Sequence, residues 1–260
     1  MKQITRLNLE TRKFFNYTDL QYMIDTLLEN PRLGRIFVDD DINPNTCIIS
    51  LKHLLFFGGN LTKECLDFLS NKILTDDIRD RKSIFFMLYP NEDWMNSIMG
   101  LFPNRCYQYE RSLYSIKPTH IDRQSSYDNI EEITPELITS TTNNLDMITD
   151  EIIGTGTYND MEDFFNRGIG YTLVINNKVS GFCTSEYPSK DAIAIGIEVS
   201  EEYQKQGYAK AMTKLFLNKA AQNGLTVYWE CWKNNIASAN TALSCQFEKV
   251  ADYPFIFVEL

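Results

Sequence analysis

At 260 residues, with 43% apolar and 23% charged side chains and a formal net charge of −10, the chain has the size and core material of one large or two medium soluble domains. The acidic balance argues against a nucleic-acid surface, which needs clustered Lys and Arg. No apolar run reaches the length of a membrane span, and the start, MKQITRLNLETRKFF, has no apolar stretch behind its charges. The expected setting is the cytoplasm, with no membrane or nucleic-acid partner; an acidic field suits a cationic small molecule, although solubility alone explains it equally well.

In the first half, Leu20, Met23, Ile24, Leu27 and Leu28 recur at helical spacing, which predicts a helix over Thr18 to Glu29 that Asn30-Pro31 stops. Short β-like runs follow at Arg35 to Val38 and Cys47 to Leu51, then an amphipathic stretch from Thr62 to Ile73 and the apolar strand Ile84 to Leu88. A helix is expected from about Asn91 to before Pro103, and two β-rich runs, Cys106 to Tyr109 and Ser112 to Ile116, close the half. The polar stretch Thr119 to Ser126 is the expected junction, so two domains are read, 1–120 and 121–260, with Ile121 able to begin a new strand.

Beyond the junction a helix is expected from Pro135 to about Glu151, with Thr134 at its N-cap, and a shorter one over Met161 to Asn166. Tyr171 to Ile175 and Lys178 to Phe182 flank Asn176-Asn177, a two-residue connection that tolerates the positive φ of a hairpin turn. Ala192 to Val199 reads as a strand, Gly207 to Gln222 as a helix ended by Asn223-Gly224, and Leu225 to Trp229 as a strand. Asn235 to Cys245 is helical, and Phe247 to Val250 and Pro254 to Val258 finish as strands, so a mixed α/β class with a mixed sheet crossed by helices is expected.

The six cysteines are scattered without a C-x-x-C pair, and only His53 and His120 supply imidazoles, so neither a zinc site nor a disulfide framework is indicated. Asp39-Asp40-Asp41 lacks further ligands at useful spacing and reads as a solvated turn, and Gly154-Thr155-Gly156 has no preceding strand and no third glycine. The informative segment is IGIEVSEEYQKQGYA, Ile195 to Ala209, which runs from a buried strand through a short polar loop into a helix. In that geometry the amide N–H groups of Gln204, Lys205, Gln206, Gly207, Tyr208 and Ala209 can point into one concavity. The helix dipole adds positive potential, which makes a pyrophosphate cradle. Gly207 permits close backbone approach and Ala209 leaves room in the first turn.

This segment resembles the Q/R-x-x-G-x-G/A motif of the GNAT acyltransferases, with Gln204, Gly207 and Ala209 on its defined positions. The run G-I-E-V…Y-Q-K-Q-G-Y-A…Y-W-E-C-W…N-I-A-S is similar to the branch containing the zwittermicin A resistance acetyltransferase. The resemblance covers about Ile121 to Leu260. It implies acetyl-CoA as cofactor, a splayed strand where the backbone of Ile197 and Val199 meets the pantetheine arm, and cofactor contacts from Asn235 and Ser238. Those two residues read equally well as helix caps. It also implies acetyl transfer to a primary amine, in the first place that of a small molecule, with a silent acyl-CoA-binding module and a protein N-acetyltransferase as alternatives. Two positions depart from the family pattern: Ala242 stands where many members have a tyrosine that protonates the departing thiolate, leaving water or Tyr253 for that role, and Gln246-Phe247 replaces Gly-Phe.

Glu198 lies between Ile197 and Val199, where the thioester should sit. Partial burial would raise its pKa toward that of a useful general base, the other reading being a solvent-facing alternation partner in the strand. Glu230 is the weaker candidate, the Val199 N–H the expected oxyanion donor, and Trp229 and Trp232 either line an acceptor pocket or pack in the core. The first half ends in the same order of strand, helix and strands, and Phe56-Phe57-Gly58-Gly59-Asn60 lacks the cradle loop. It therefore reads as a degenerate, non-catalytic copy of the fold that helps wall the acceptor cleft.

Overall fold

The computed structural model describes residues 1–7, 9–51, 53–73, 84–119, 127–155 and 157–259. His120, Ile121 and the rest of the junction up to Ser126 lie outside the described residues, as does Gly156. The chain forms two compact units, one of Met1–Arg111 with Asp252–Leu260 and one of Ser112–Ala251.

The first unit holds Lys2–Ile4 (β1), Leu9–Arg12 (α1), Gln21–Glu29 (α2), Arg35–Val38 (β2), Thr46–Leu51 (β3), Leu54–Gly59 (β4), Lys63–Phe68 (α3), Ile84–Leu88 (β5), Glu92–Leu101 (α4) and the start of Cys106–Ile116 (β6). Strands β1 to β4 pair antiparallel in sequence order, and β5 lies parallel to β4. The predicted amphipathic stretch turns at Leu69 from α-helix into a π-helical turn ending at Ile73. The Asp39-Asp40-Asp41 run is a turn: Asp39 Oδ1 accepts the N–H groups of Asp40, Asn45 and Thr46, and Asp40 Oδ1 those of Ile42 and Asn43. All six cysteines are free and buried, and burial pushes the Cys65 thiol up to about 12.

The second unit contains Ile130–Glu132 (β7), Pro135–Ile138 (α5), Asp146–Thr155 (α6), Met161–Arg167 (α7), Gly170–Ile175 (β8), Lys178–Glu186 (β9), Ala192–Val199 (β10), Tyr208–Gln222 (α8), Thr226–Trp232 (β11), Ile236–Ser244 (α9) and the start of Glu248–Glu259 (β12). Its sheet runs β6-β11-β10-β9-β8-β7. At the β8–β9 hairpin Asn176 and Asn177 take φ of 51° and 58°, the two left-handed residues of a type I′ turn.

Three expectations change. The single helix over Pro135 to Glu151 is two, because the residues between prefer the hairpin to a helical ladder. Asn143 N–H donates to the Asn177 carbonyl at 2.9 Å, and Asn144, at φ 65°, donates through Nδ2 to the Val179 carbonyl at 3.1 Å. The paired runs at 106–116 and at 247–258 are each one strand, β6 and β12; their interruptions in apolar pattern mark a change of surroundings and not a turn. Each of these strands crosses from one unit to the other: Tyr114 joins the core of the second unit, while Ile256 to Glu259 pair with Met87 to Ile84 in the first.

One face of the second unit's sheet is covered by α8 and α9, with Met212, Phe216, Leu217, Ala220 and Ala242 packed on Ile193, Ile195, Val227 and Trp229. On the other face Ile148, Ile152 and Phe164 of α6 and α7 meet Val179 and Phe182. Each fully buried side chain of this size contributes about 1.5–3 kcal/mol, so the sheet is held rigid from both sides. No helix among the described residues is long and apolar enough to cross a membrane.

Candidate active site

The two strands at the centre of the second unit separate. β10 and β11 pair in parallel from Ala192 opposite Thr226 to Ile195 opposite Trp229; beyond that β10 runs four residues further and β11 three, unpaired with each other. Along its other edge β10 stays antiparallel to β9 as far as Val199 opposite Gly181, and Ser200 N–H donates to the Ser180 carbonyl at 2.9 Å. Antiparallel ladders alternate, so if Ser200 bonds toward β9, Ile197 and Val199 turn their N–H and C=O groups to the opened side. The Val199 carbonyl is met there by Gln204 Nε2 at 3.0 Å. The structure thus leaves an open strand edge at the two residues named from the sequence, and fixes Gln204 as a brace across the loop.

The loop that follows is built to expose amides. After a 3-10 turn over Glu201–Tyr203, Lys205 takes φ 61° and Gly207 φ 88°, two left-handed positions that turn the chain into α8. Among the described residues no acceptor meets the backbone N–H of Lys205, Gln206, Gly207, Tyr208 or Ala209; the first helical bond is from Ala211 N–H to the Gly207 carbonyl at 3.0 Å. Unpaired amides at the start of a 15-residue helix could hold an anion such as a pyrophosphate. Tyr127, which no sequence signal marked, lies against it: its hydroxyl donates to the Gln206 carbonyl at 3.3 Å and sits 3.0 Å from where a Cβ on Gly207 would lie. Its ring packs 5.2 Å from that of Tyr208.

Glu198 is exposed rather than partly buried, because β10 has lost its β11 neighbour where this residue stands. Two half-buried carboxylates stand nearby, Glu151 on α6 and Glu186 at the end of β9. A Cβ on Gly196 would collide with Glu186 Oε1 and come within 3.2 Å of Glu151 Oε1, so these two carboxylates converge on the bare backbone of Gly196. Alternation places Glu198 on the same face of the sheet. Burial, and next the Glu198 charge, hold the Glu151 carboxyl above its ordinary range. Thr184, opposite Gly196 in register, is buried, and its hydroxyl has no hydrogen-bond partner among the described residues. Spacing within the segment could not show Glu151 or Glu186, since one comes from a helix 47 residues before Glu198 and the other from the end of β9.

Asn235 and Ser238 carry structural duties. Asn235 Oδ1 caps α9 by accepting Ser238 N–H at 3.0 Å, and Ser238 Oγ accepts Trp229 Nε1 at 3.0 Å. Trp229 is core, packed edge-on to Phe247, whereas Trp232 is partly exposed. Glu230 is half-buried on the same face as Glu198, while its immediate neighbours Trp229 and Cys231 point to the other face in the alternation of β11. Ala242 is fully buried, so no hydroxyl is offered from that turn of α9, and Tyr253 belongs to the first unit, where it lines a cavity with Tyr17 and Tyr89.

The family model of the GNAT acetyltransferases matches residues 12–256. The chain belongs to the GNAT acetyltransferase family. An N-acetyltransferase of Bacillus subtilis (strain 168), named YdfB and uncharacterized, is 21% identical over 93% of this chain and 95% of its own length. In fold, the acetyltransferase is similar to a GCN5-related N-acetyltransferase-like protein from Streptococcus suis 89/1591, at a TM-score of 0.69 and 18% identity over 96% of this chain and 97% of that one. It is also similar to a tandem GNAT protein from the clavulanic acid biosynthesis pathway, at a TM-score of 0.53 and 9% identity, covering 92% and 87% of the two chains. The mixed α/β fold is therefore that of the family, and so is the activity class, acyl transfer dependent on acetyl-CoA.

Proposed function

We propose that this acetyltransferase moves an acetyl group from acetyl-CoA to the primary amine of a small molecule, at the opened edge of β10 in the second unit. The observation that carries the reading is the alignment of three features on one strand and its loop. These are the unpaired amides of Lys205 to Ala209, the opened edge at Ile197 and the Val199 N–H, and the carboxylates of Glu151, Glu186 and Glu198 around Gly196.

An acyl-CoA bound there supplies the activated acyl group and carries away the thiolate. The chain does the rest. The amides of the cradle hold the pyrophosphate with fixed dipoles, which costs no reorganisation when the ligand arrives. Ile197 and Val199 orient the pantetheine arm as an added strand would be oriented, and the Val199 N–H polarises the carbonyl to be attacked. An alkylammonium must lose a proton before its nitrogen can attack. Glu198 takes it at the exposed side of the site, and Glu151, whose raised pKa is coupled to the charge of Glu198, shares it. With Ala242 in place of a hydroxyl, water protonates the departing sulfur.

The similarity of GIEV, YQKQGYA and NIAS to the zwittermicin A resistance branch supports a small-molecule acceptor over a protein N-terminus. A panel of small amines assayed by release of free CoA thiol tests the reading. Thiol released only with an amine present supports it. Cofactor binding without turnover on any amine or peptide N-terminus replaces it by a silent acyl-CoA-binding module, which the buried Ala242 would favour.

A further inference from the structure

The first unit repeats the opened strand pair of the second and fills the opening itself. β4 is parallel to β5 from Leu54 opposite Phe86 to Phe56 opposite Leu88, then runs on to Gly59 unpaired with it. Asn60 N–H donates to the Asn45 carbonyl at 2.8 Å on the β3 side, so Phe57 and Gly59 turn their backbone groups to the opened side, as Ile197 and Val199 do in the second unit. In the second unit only the Val199 carbonyl is met among the described residues, by Gln204 Nε2; here both strand residues are met from within the chain. Phe57 N–H donates to Tyr17 Oη, and Trp94 Nε1 donates to the Gly59 carbonyl at 3.0 Å.

The indole of Trp94 is fully buried and stacks 5.1 Å from the Phe57 ring. Its place in α4 matches that of Ser238 in α9: Asn91 Oδ1 caps α4 by accepting Trp94 N–H at 3.2 Å, as Asn235 Oδ1 accepts Ser238 N–H at 3.0 Å. A large aromatic ring thus stands where the second unit has a serine. Tyr17 keeps about a third of its surface, 36%, in solvent, yet burial of the remainder pushes its phenol well above its ordinary value, so it remains a neutral hydroxyl at working pH. Nor do the first unit's described residues form a cradle. Only Asn60, Leu61 and Thr62 join β4 to α3, and the Thr62 hydroxyl already accepts Cys65 N–H, whereas Ser200 to Gly207 join β10 to α8.

We propose that Tyr17 and Trp94 are specificity-determining residues that confine the cofactor to the second unit: they hold the strand edge on which a second pantetheine arm would lie, so that one chain takes one acyl-CoA. This rests on the reading of the second unit as the cofactor site. Isothermal titration of the full chain with CoA should give one equivalent for the wild type and none for Gly207→Val. Two equivalents in the wild type, or one that survives Gly207→Val, would overturn the proposal. Absence of any binding to the wild type would instead remove the reading of the second unit. The plug is then decided on Trp94→Gly, whose lowered melting temperature should be raised by 3-methylindole at concentrations that leave the wild type unmoved; a folded variant that shows no such rescue refutes it. If Trp94→Gly does not fold, Trp94→Leu, which fills much of the space without the Nε1 donor, should stay at one equivalent, and a second equivalent appearing there would refute a role for ring volume.

Discussion

Replacing Gly207 with valine perturbs the cradle in two ways that can be measured apart. The position holds φ 88°, where a β-branched residue is strained by about 1–3 kcal/mol, and a Cβ would stand 3.0 Å from the Tyr127 hydroxyl, a contact that a tilt of the tyrosine can relieve. For a chain of this length each kcal/mol lowers the melting temperature by about 2–4 °C, so the variant should remain folded with a modest drop. The ligand response should suffer far more. If φ relaxes, the amides of Gly207 and Tyr208 turn away, and each hydrogen bond to a charged group is worth about 1.5–3 kcal/mol; losing two weakens binding by about 10²- to 10⁴-fold. At one hundred times the wild-type dissociation constant, CoA stabilises the wild type by about 2.7 kcal/mol, and a site weakened 10²-fold by only about 0.4 kcal/mol. Differential scanning fluorimetry with and without CoA reads both numbers. A Gly207→Val chain that melts near the wild-type temperature and keeps its full CoA shift would show that the cradle is elsewhere.

Three further outcomes are expected. Glu198→Gln should leave CoA affinity nearly unchanged and lower turnover by at least about 10²-fold near neutral pH, with partial recovery at high pH where free amine is abundant; near-wild-type rates at pH 7 would move the base to Glu151 or Glu230. Gly196→Ala should force Glu186 and Glu151 off the strand, since its Cβ would meet both carboxylates, and should raise KM for the amine while sparing CoA binding measured by titration; an unchanged KM would detach these carboxylates from the acceptor. Gln204→Arg should bind CoA as the wild type does, because a donor to the Val199 carbonyl is kept, whereas Gln204→Leu should bind more weakly; equal binding by both would remove the brace.

Much of the fold was legible because local chemistry and global packing agree along most of the second half. Asn176-Asn177, Asn223-Gly224 and the caps at Thr134 and Asn235 are side chains whose local hydrogen bonds or left-handed tolerance determine the backbone without help from afar. The loop from Gln204 to Gly207 was legible for the same reason, since its sequence carries its own conformation, with left-handed Lys205 and Gly207 leading into α8. The break of the helix after Ile138 was not, since it is decided by bonds to Asn177 and Val179 on a hairpin more than thirty residues away. Nor were the long strands β6 and β12, whose apolar pattern changes where they pass from one unit to the other. The carboxylates around Gly196 failed for a related reason: Glu151, Glu186 and Glu198 share no segment, and only the register of β9 on β10 and the packing of α6 bring them together.

The stability and the activity of Glu151→Gln should move in opposite directions. A carboxyl whose pKa is raised on folding binds its proton more tightly in the native chain than in the unfolded one. The native state then holds more protons between the ordinary glutamate pKa and the raised one, and stability falls as pH rises through that interval and stays lower above it. At pH 7 the glutamine variant escapes this loss and should melt at or above the wild-type temperature, while at a pH below the ordinary glutamate value the two should melt alike. Turnover at pH 7 should nonetheless fall, since the glutamine cannot share the proton taken from the amine. A purely structural Glu151 predicts the stability change without the loss of turnover, and a Glu151 that is ionised and well solvated predicts neither. Melting curves at pH 4 and pH 7 together with one rate measurement therefore separate the three, and a variant that is less stable at pH 7 and fully active would show that burial beside Glu198 has been assigned the wrong sign.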